Sequence, residues 1–226
     1  MDVLEFRNLY WNYYTQLEND FFSYSPYCEI DPCNDNAFSV KYLQLLLSVC
    51  GEIDSICKTF CKVLENDFDP DTAGIDNYLS ILRKEYPTFA AEKIKIVGYK
   101  YREVQPWKSI AHGYAPSWWQ DYNAIKHHRD QERNGKANYK YANQKNVVDA
   151  LCALYVLLEY WAAKNFVPNK ETISSRRVEP QDRTLTRLKS SKLCLINWTF
   201  YNRFAGQEPW FNDRRYYEYL EGVLRT

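Results

Sequence analysis

Asn123, Lys126 and His127 stand at i, i+3 and i+4, so a helix through this segment displays an amide, an ammonium and an imidazole on one face. Trp119 lies one turn earlier on that face, and His128 points about 100° away. Such a face can bind a phosphodiester and move a proton. His127 is its natural acid or base, because an unperturbed imidazole titrates at roughly 6.5. The competing reading is a solvated polar face with no chemistry. A second polar insertion, Glu52-Ile53-Asp54 followed by Lys58, interrupts an apolar helix. Asp54 and Lys58 suit an i, i+4 ion pair worth a few tenths of a kcal/mol. Alternatively Asp54 or Glu52 reaches Lys126 or His127 across a bundle and orients the imidazole, a reading favoured by the place of Asp54 in an apolar seam.

Helices must position these groups. Val3, Phe6, Tyr10, Tyr13 and Leu17 alternate in steps of three and four, predicting a first helix that ends near Asn19. Asp35 or Asn36 is a candidate cap for a long second helix over Ala37 to Asn66. Two adjacent seams run along it, one from Tyr42 through Leu46, Val49, Ile53 and Phe60 to Val63, the other from Leu43 to Leu64 through Asp54. Two seams make a face wide enough for two partner helices. A short helix from Ile75 to Glu85 stops before Pro87. Period-two patterns at Ile94, Ile96, Tyr99 and Tyr101 and at residues 193–200 predict two strands that pair beside the bundle. Ser117 with Gln120 fits a capping box, opening the helix that carries Trp118, Trp119, Tyr122 and Ile125 through to Arg129. A polar loop around Gly135 follows, and Asn143 or Gln144 opens a last, strongly apolar helix.

The composition agrees: 17% aromatic residues, with 20 Tyr and 7 Trp against 7 Gly, favours helices packed through large rings over a glycine-rich barrel. At 226 residues, 46% of them hydrophobic, the chain excludes collagen-like, disordered and disulfide-stapled classes. Seven Cys with no CxxC pair give no metal or disulfide framework, and no cofactor is expected. The start MDVLEFRN does not read as a signal peptide, and the apolar run Ala150 to Leu158 ends at Glu159, short of the roughly 20 residues of a membrane span. The expected location is the cytoplasm, away from membranes. Net charge is zero overall, but residues 1–92 hold 6 Lys/Arg against 16 Asp/Glu, and the remainder is correspondingly basic. Either the halves neutralise each other or a basic surface meets phosphate.

The stretch PSWWQDYNAIKHHR, Pro116 to Arg129, set between a long amphipathic helix and a final apolar one, resembles the Asn-x-x-Lys-His segments of the HEPN superfamily. The resemblance implies a compact bundle of four to five helices; with the elements above, the expected fold is a mainly α, up-and-down bundle over residues 1–165 with a strand-like insert near 93–105. Residues 166–226, which the resemblance does not cover, read as a basic linker and an aromatic C-terminal extension packed on the bundle. Catalytic members carry an Arg, four to six residues, then a His, and two such motifs in a homodimer form a metal-independent ribonuclease site. On this chain His127 falls at the histidine, Asn123 at the polar residue after the arginine, and Tyr122 at the arginine itself. Tyrosine has neither the charge nor the donor fork that steadies a phosphate in the transition state. Lys126 or Arg129 is the available substitute. The implied function is RNA binding or endoribonuclease activity in a bacterial defence or toxin-type system. In that role His127 and Asn123 would be catalytic, Lys126, Arg129, Tyr122 and Trp119 would hold substrate, and Glu52, Asp54 and Lys58 would support them. The alternative is a catalytically silent module that binds a nucleotide or a protein partner.

Overall fold

The structure, a computed structural model, describes residues 3–97, 103–166, 191–196 and 200. The described chain is mainly α, with a small antiparallel strand pair beside the bundle. Helix α1 (Val3–Phe6), a π-helical turn (Arg7–Trp11) and α2 (Asn12–Tyr24) follow without a break. The π turn inserts one residue, so the buried stripe runs Phe6, Trp11, Tyr14, Leu17 and Phe21. Tyr13, expected in the seam, is 42% exposed for this reason, and the helix continues past Asn19 because Phe21 extends its apolar face.

Helix α3 (Val40–Leu64) starts later than the apolar pattern suggested. Ser39 caps it by accepting a hydrogen bond from the Tyr42 amide at 3.0 Å, in place of Asp35 or Asn36. Both seams are present, although Val63 faces solvent. Helix α4 (Ile75–Glu85) has the expected bounds. Helix α5 (Ser117–His127) stops two residues early, and α6 (Gln144–Phe166) opens with the Asn143 side chain accepting from the Asn146 amide at 2.9 Å.

Helix α6 is the axis of the molecule. Residues 150–161 are all buried, as a helix apolar on every side requires. By length and composition this helix could cross a membrane, yet it is enclosed by the other elements of the fold. Its longest contact is with α3, where Phe60 and Trp161 stack at 5.5 Å. Cys50, Cys57, Cys61 and Cys152 fill this core as small apolar residues. At its start, the buried Gln144 amide donates to the Glu29 carbonyl (2.9 Å) and the Tyr42 hydroxyl (3.2 Å), and its oxygen accepts from the Asp31 amide (3.2 Å). These bonds stitch the loop before α3 to the bundle.

The two expected strands pair. Strand β1 (Ile94–Ile96) runs antiparallel to β4 (Cys194–Ile196), with Ile94 opposite Ile196. The pairing is anchored from α2. The Glu18 carboxylate, 1% exposed, accepts from the Tyr14 hydroxyl at 3.1 Å, the Lys192 and Leu193 amides at 2.8 and 2.9 Å, and the Ser191 hydroxyl. Where a loop was expected around Gly135, β2 (Glu132–Arg133) and β3 (Lys136–Ala137) form a hairpin. Asn134 and Gly135 both have positive φ, 54° and 70°, as a two-residue hairpin turn matching the strand twist demands. Tyr99, Tyr101, Trp198 and most of the basic and aromatic stretch over 166–226 lie outside the described residues. Phe200 is buried against Tyr160, with ring centroids 5.0 Å apart.

Candidate functional site

Helix α5 is set in place by indoles. The Trp118 ring donates to the Pro106 carbonyl at 2.9 Å and packs edge-on against Trp107 at 5.3 Å; Trp107 donates to the Ala153 carbonyl of α6 at 3.1 Å. The capping box does not form. Ser117 lies inside the first turn, the Pro116 carbonyl accepts from the Trp119 and Gln120 amides, and the Gln120 side chain donates to the Ala115 carbonyl at 2.8 Å. Trp118, Trp119, Tyr122 and Ile125 are thereby turned inward.

Between α5, α3 and the start of α4 lies an open cleft of about 360 Å³. Trp119, Tyr122, Asn123 and Lys126 form its α5 wall, Asp54 comes from α3, and residues 74–77 of α4 close it. Three residues of the face read from spacing, Trp119, Asn123 and Lys126, thus share a concavity with Tyr122, the position the resemblance assigns to arginine, and with Asp54 of the second cluster. The Lys126 ammonium stands 5.6 Å from the Tyr122 ring centre. Burial pushes the Tyr122 phenol up, and Lys126 offsets part of that rise.

His127 does not line the cleft. It is exposed at the last position of α5, its ring 6.4 Å from that of His128, which has already left the helix. Arg129 is exposed beyond the helix end. The helix face therefore splits, with Asn123 and Lys126 turned to the cleft and His127 to its outer edge.

The expected reach of Asp54 or Glu52 to His127 or Lys126 is not formed. Asp54 is engaged by Lys58 at 2.9 Å and by the Tyr78 hydroxyl at 3.1 Å, a hydroxyl that also faces the Ala73 carbonyl at 3.0 Å. Burial, and after it the Asp54 charge, pushes the Tyr78 phenol up. The intrahelical pair is what the spacing produced, and the apolar seam is relieved because α4 supplies a hydroxyl. Glu52, about 200° around α3 from Asp54, is off the cleft; burial alone pushes its carboxyl up to about 7.

Three residues escaped the sequence reading. Asp76 and Asn77 complete the cleft, and Asn77 also holds the helix start by accepting from the Gly74 amide at 3.0 Å. Asp121, on the far side of α5, pairs with Arg133 of the hairpin and accepts from the Asn146 side chain of α6 at 2.7 Å. The Asn134-Gly135 pair is the signal that would have revealed the hairpin, and with it this anchor. Among the described residues no group of three His, Cys, Asp or Glu is placed to hold a metal ion. Comparison with family models, curated proteins and solved structures found no match to this chain.

Proposed function

We propose that this protein is a nucleotide- or RNA-binding helical bundle in which the cleft takes a base and the exposed end of α5 meets phosphate. The observation that carries this reading is the division of the α5 face. Trp119 and Tyr122, both nearly buried, contribute the apolar lining of the cleft wall, and Asn123, Asp54 and Asp76 offer groups that accept hydrogen bonds from a base edge. Two carboxylates repel a phosphate, so the anionic end of such a ligand turns toward Lys126, His127, His128 and Arg129, which are exposed. This joins the RNA binding of the first reading to the nucleotide binding of the catalytically silent alternative, and catalysis is left out because the imidazole stands outside the cleft and the position the resemblance assigns to arginine is a buried tyrosine. A protein ligand for the same cleft is the competing case within that alternative.

Calorimetric titration with nucleoside monophosphates and a short single-stranded RNA tests the reading. Wild type binds, and Lys126→Gln weakens binding about tenfold or more, the loss expected for one charge-assisted hydrogen bond. No binding by wild type overturns it.

A second reading, metal-independent endoribonuclease activity in a defence or toxin-type homodimer, draws support from the exposure of His127, which leaves the ring accessible to a second copy. Under that reading His127→Ala abolishes RNA cleavage without lowering Tm, and Tyr122→Arg raises cleavage. Cleavage that persists in His127→Ala removes it.

A further inference from the structure

Phe38 and Tyr139 are large rings left in solvent, 45% and 41% exposed, in edge-to-face contact at 5.9 Å and 74°. Other rings of the chain are also exposed, but these two stand in contact with each other. Both stand on fixed backbone. Phe38 bridges to Asn143, the cap of α6. Tyr139 follows Asn138, whose amide donates to the Gln131 carbonyl at 2.8 Å to extend the hairpin, and whose side chain donates to the His128 carbonyl at 2.7 Å. The ring pair is therefore tied directly to the exposed end of α5.

The Tyr139 side is cationic: residues 126–140 carry five Lys/Arg against Asp130 and Glu132, with Arg133 paired to Asp121, while the loop before Phe38 carries Glu29, Asp31 and Asp35. Among the described residues Lys140 makes no ion pair; its ammonium lies 5.9 Å from both ring centres, at the outer reach of a cation–π contact. An edge-to-face pair leaves ring faces unused, and a cation so loosely held remains available to an anion. Aromatic faces beside unpaired cations are what a single strand requires, bases to stack and phosphates to neutralise. Phe38 also lies some 16 residues before Asp54 along the α3 segment, roughly 24 Å at helical rise, so one short strand is long enough to reach both places.

We infer that Phe38 and Tyr139, with Lys140, form a base-stacking platform for single-stranded RNA, a second contact on the ligand whose end enters the cleft. The inference rests on the RNA-binding reading of that cleft.

Fluorescence anisotropy with a labelled 12-nucleotide RNA tests it, comparing wild type with Phe38→Leu, Tyr139→Leu and Lys126→Gln. Leucine keeps an apolar side chain of similar size and removes the π face, and both positions are at the surface, so unchanged circular dichroism confirms the fold. Each leucine variant should bind the RNA about 5- to 150-fold more weakly, the span for losing one base–ring stack. Their affinity for a nucleoside monophosphate should stay at the wild-type value. An RNA abasic at its central positions should bind wild type more weakly and the leucine variants no worse than intact RNA. If wild type binds RNA and Lys126→Gln weakens it while both leucine variants match wild type, the platform is overturned and the cleft reading stands. If the leucine variants lose self-association with RNA affinity intact, the rings serve a protein contact and the platform is likewise overturned. If wild type binds neither RNA nor nucleotide, both readings fall together.

Discussion

Glu52 shows how one side chain sets a pH dependence. Half-buried on α3, with no charged partner among the described residues, its carboxyl is pushed up to about 7 by burial. The folded state therefore favours the protonated form. Below the unfolded value near 4.5 both states hold the proton and nothing is lost; between about 4.5 and 7 the unfolded chain ionises first and stability falls as pH rises. Above 7 the loss is complete. Because the group is partly exposed, solvent screening reduces it to about 1–2 kcal/mol. Glu52→Gln should be more stable than wild type by that amount at pH 8 and equal to it near pH 4, as read from guanidinium midpoints. Asp54 meets a different fate two residues on, because Lys58 and Tyr78 hold its charge where Glu52 has no such neighbours. Sequence spacing could identify the Asp54–Lys58 pair, since both residues lie on one helix. It could not identify Tyr78, which arrives from α4.

At the level of elements, the boundaries that spacing read well are those fixed by local chemistry. Helix α4 ends where Pro87 forbids continuation, and α6 begins at an asparagine cap. Those it read badly depend on backbone geometry that side-chain type does not announce. The π turn in Arg7–Trp11 rotated the first stripe by one residue, and the Ser117 box lost to a start one residue earlier. The candidate site divides the same way. One face of α5 was legible from i, i+3, i+4 spacing, whereas its opening toward α4, and the exclusion of His127, came from how α5 rolls when Trp118, Trp119 and Ile125 are buried. Two glycines test the element geometry. Gly135 needs positive φ in the hairpin turn, so Gly135→Ala should cost about 1–2 kcal/mol even though no atom lies within 4 Å of the added carbon. Gly51 sits on the exposed side of α3 with open space around it, so Gly51→Ala should gain about 0.5–1 kcal/mol. Thermal melts of the two variants should move in opposite directions.

For the whole molecule, helix order and the central place of α6 were legible because a helix apolar all round has nowhere else to go. The closure of the fold was not, because it rests on Glu18, a carboxylate inside the core that meets donors more than 170 positions later in the chain. Glu18→Gln replaces one acceptor oxygen with an NH2 group, which then faces either the Lys192 amide on Oε2 or the Leu193 amide on Oε1. It should cost about 2–3 kcal/mol and expose the amides of residues 191–196 to hydrogen exchange well before those of α6. Equal protection in the two segments would show that β4 does not depend on this anchor. The separation also has a consequence for synthesis. While the ribosome is still translating the middle of the chain, Glu18 has the Tyr14 hydroxyl but not its donors at residues 191–193, and β1 lacks its partner strand; both must wait until Ile196 has cleared the exit tunnel. That delay leaves the free edge of β1 uncovered in the nascent chain, the kind of exposure that favours aggregation, until β4 pairs with it.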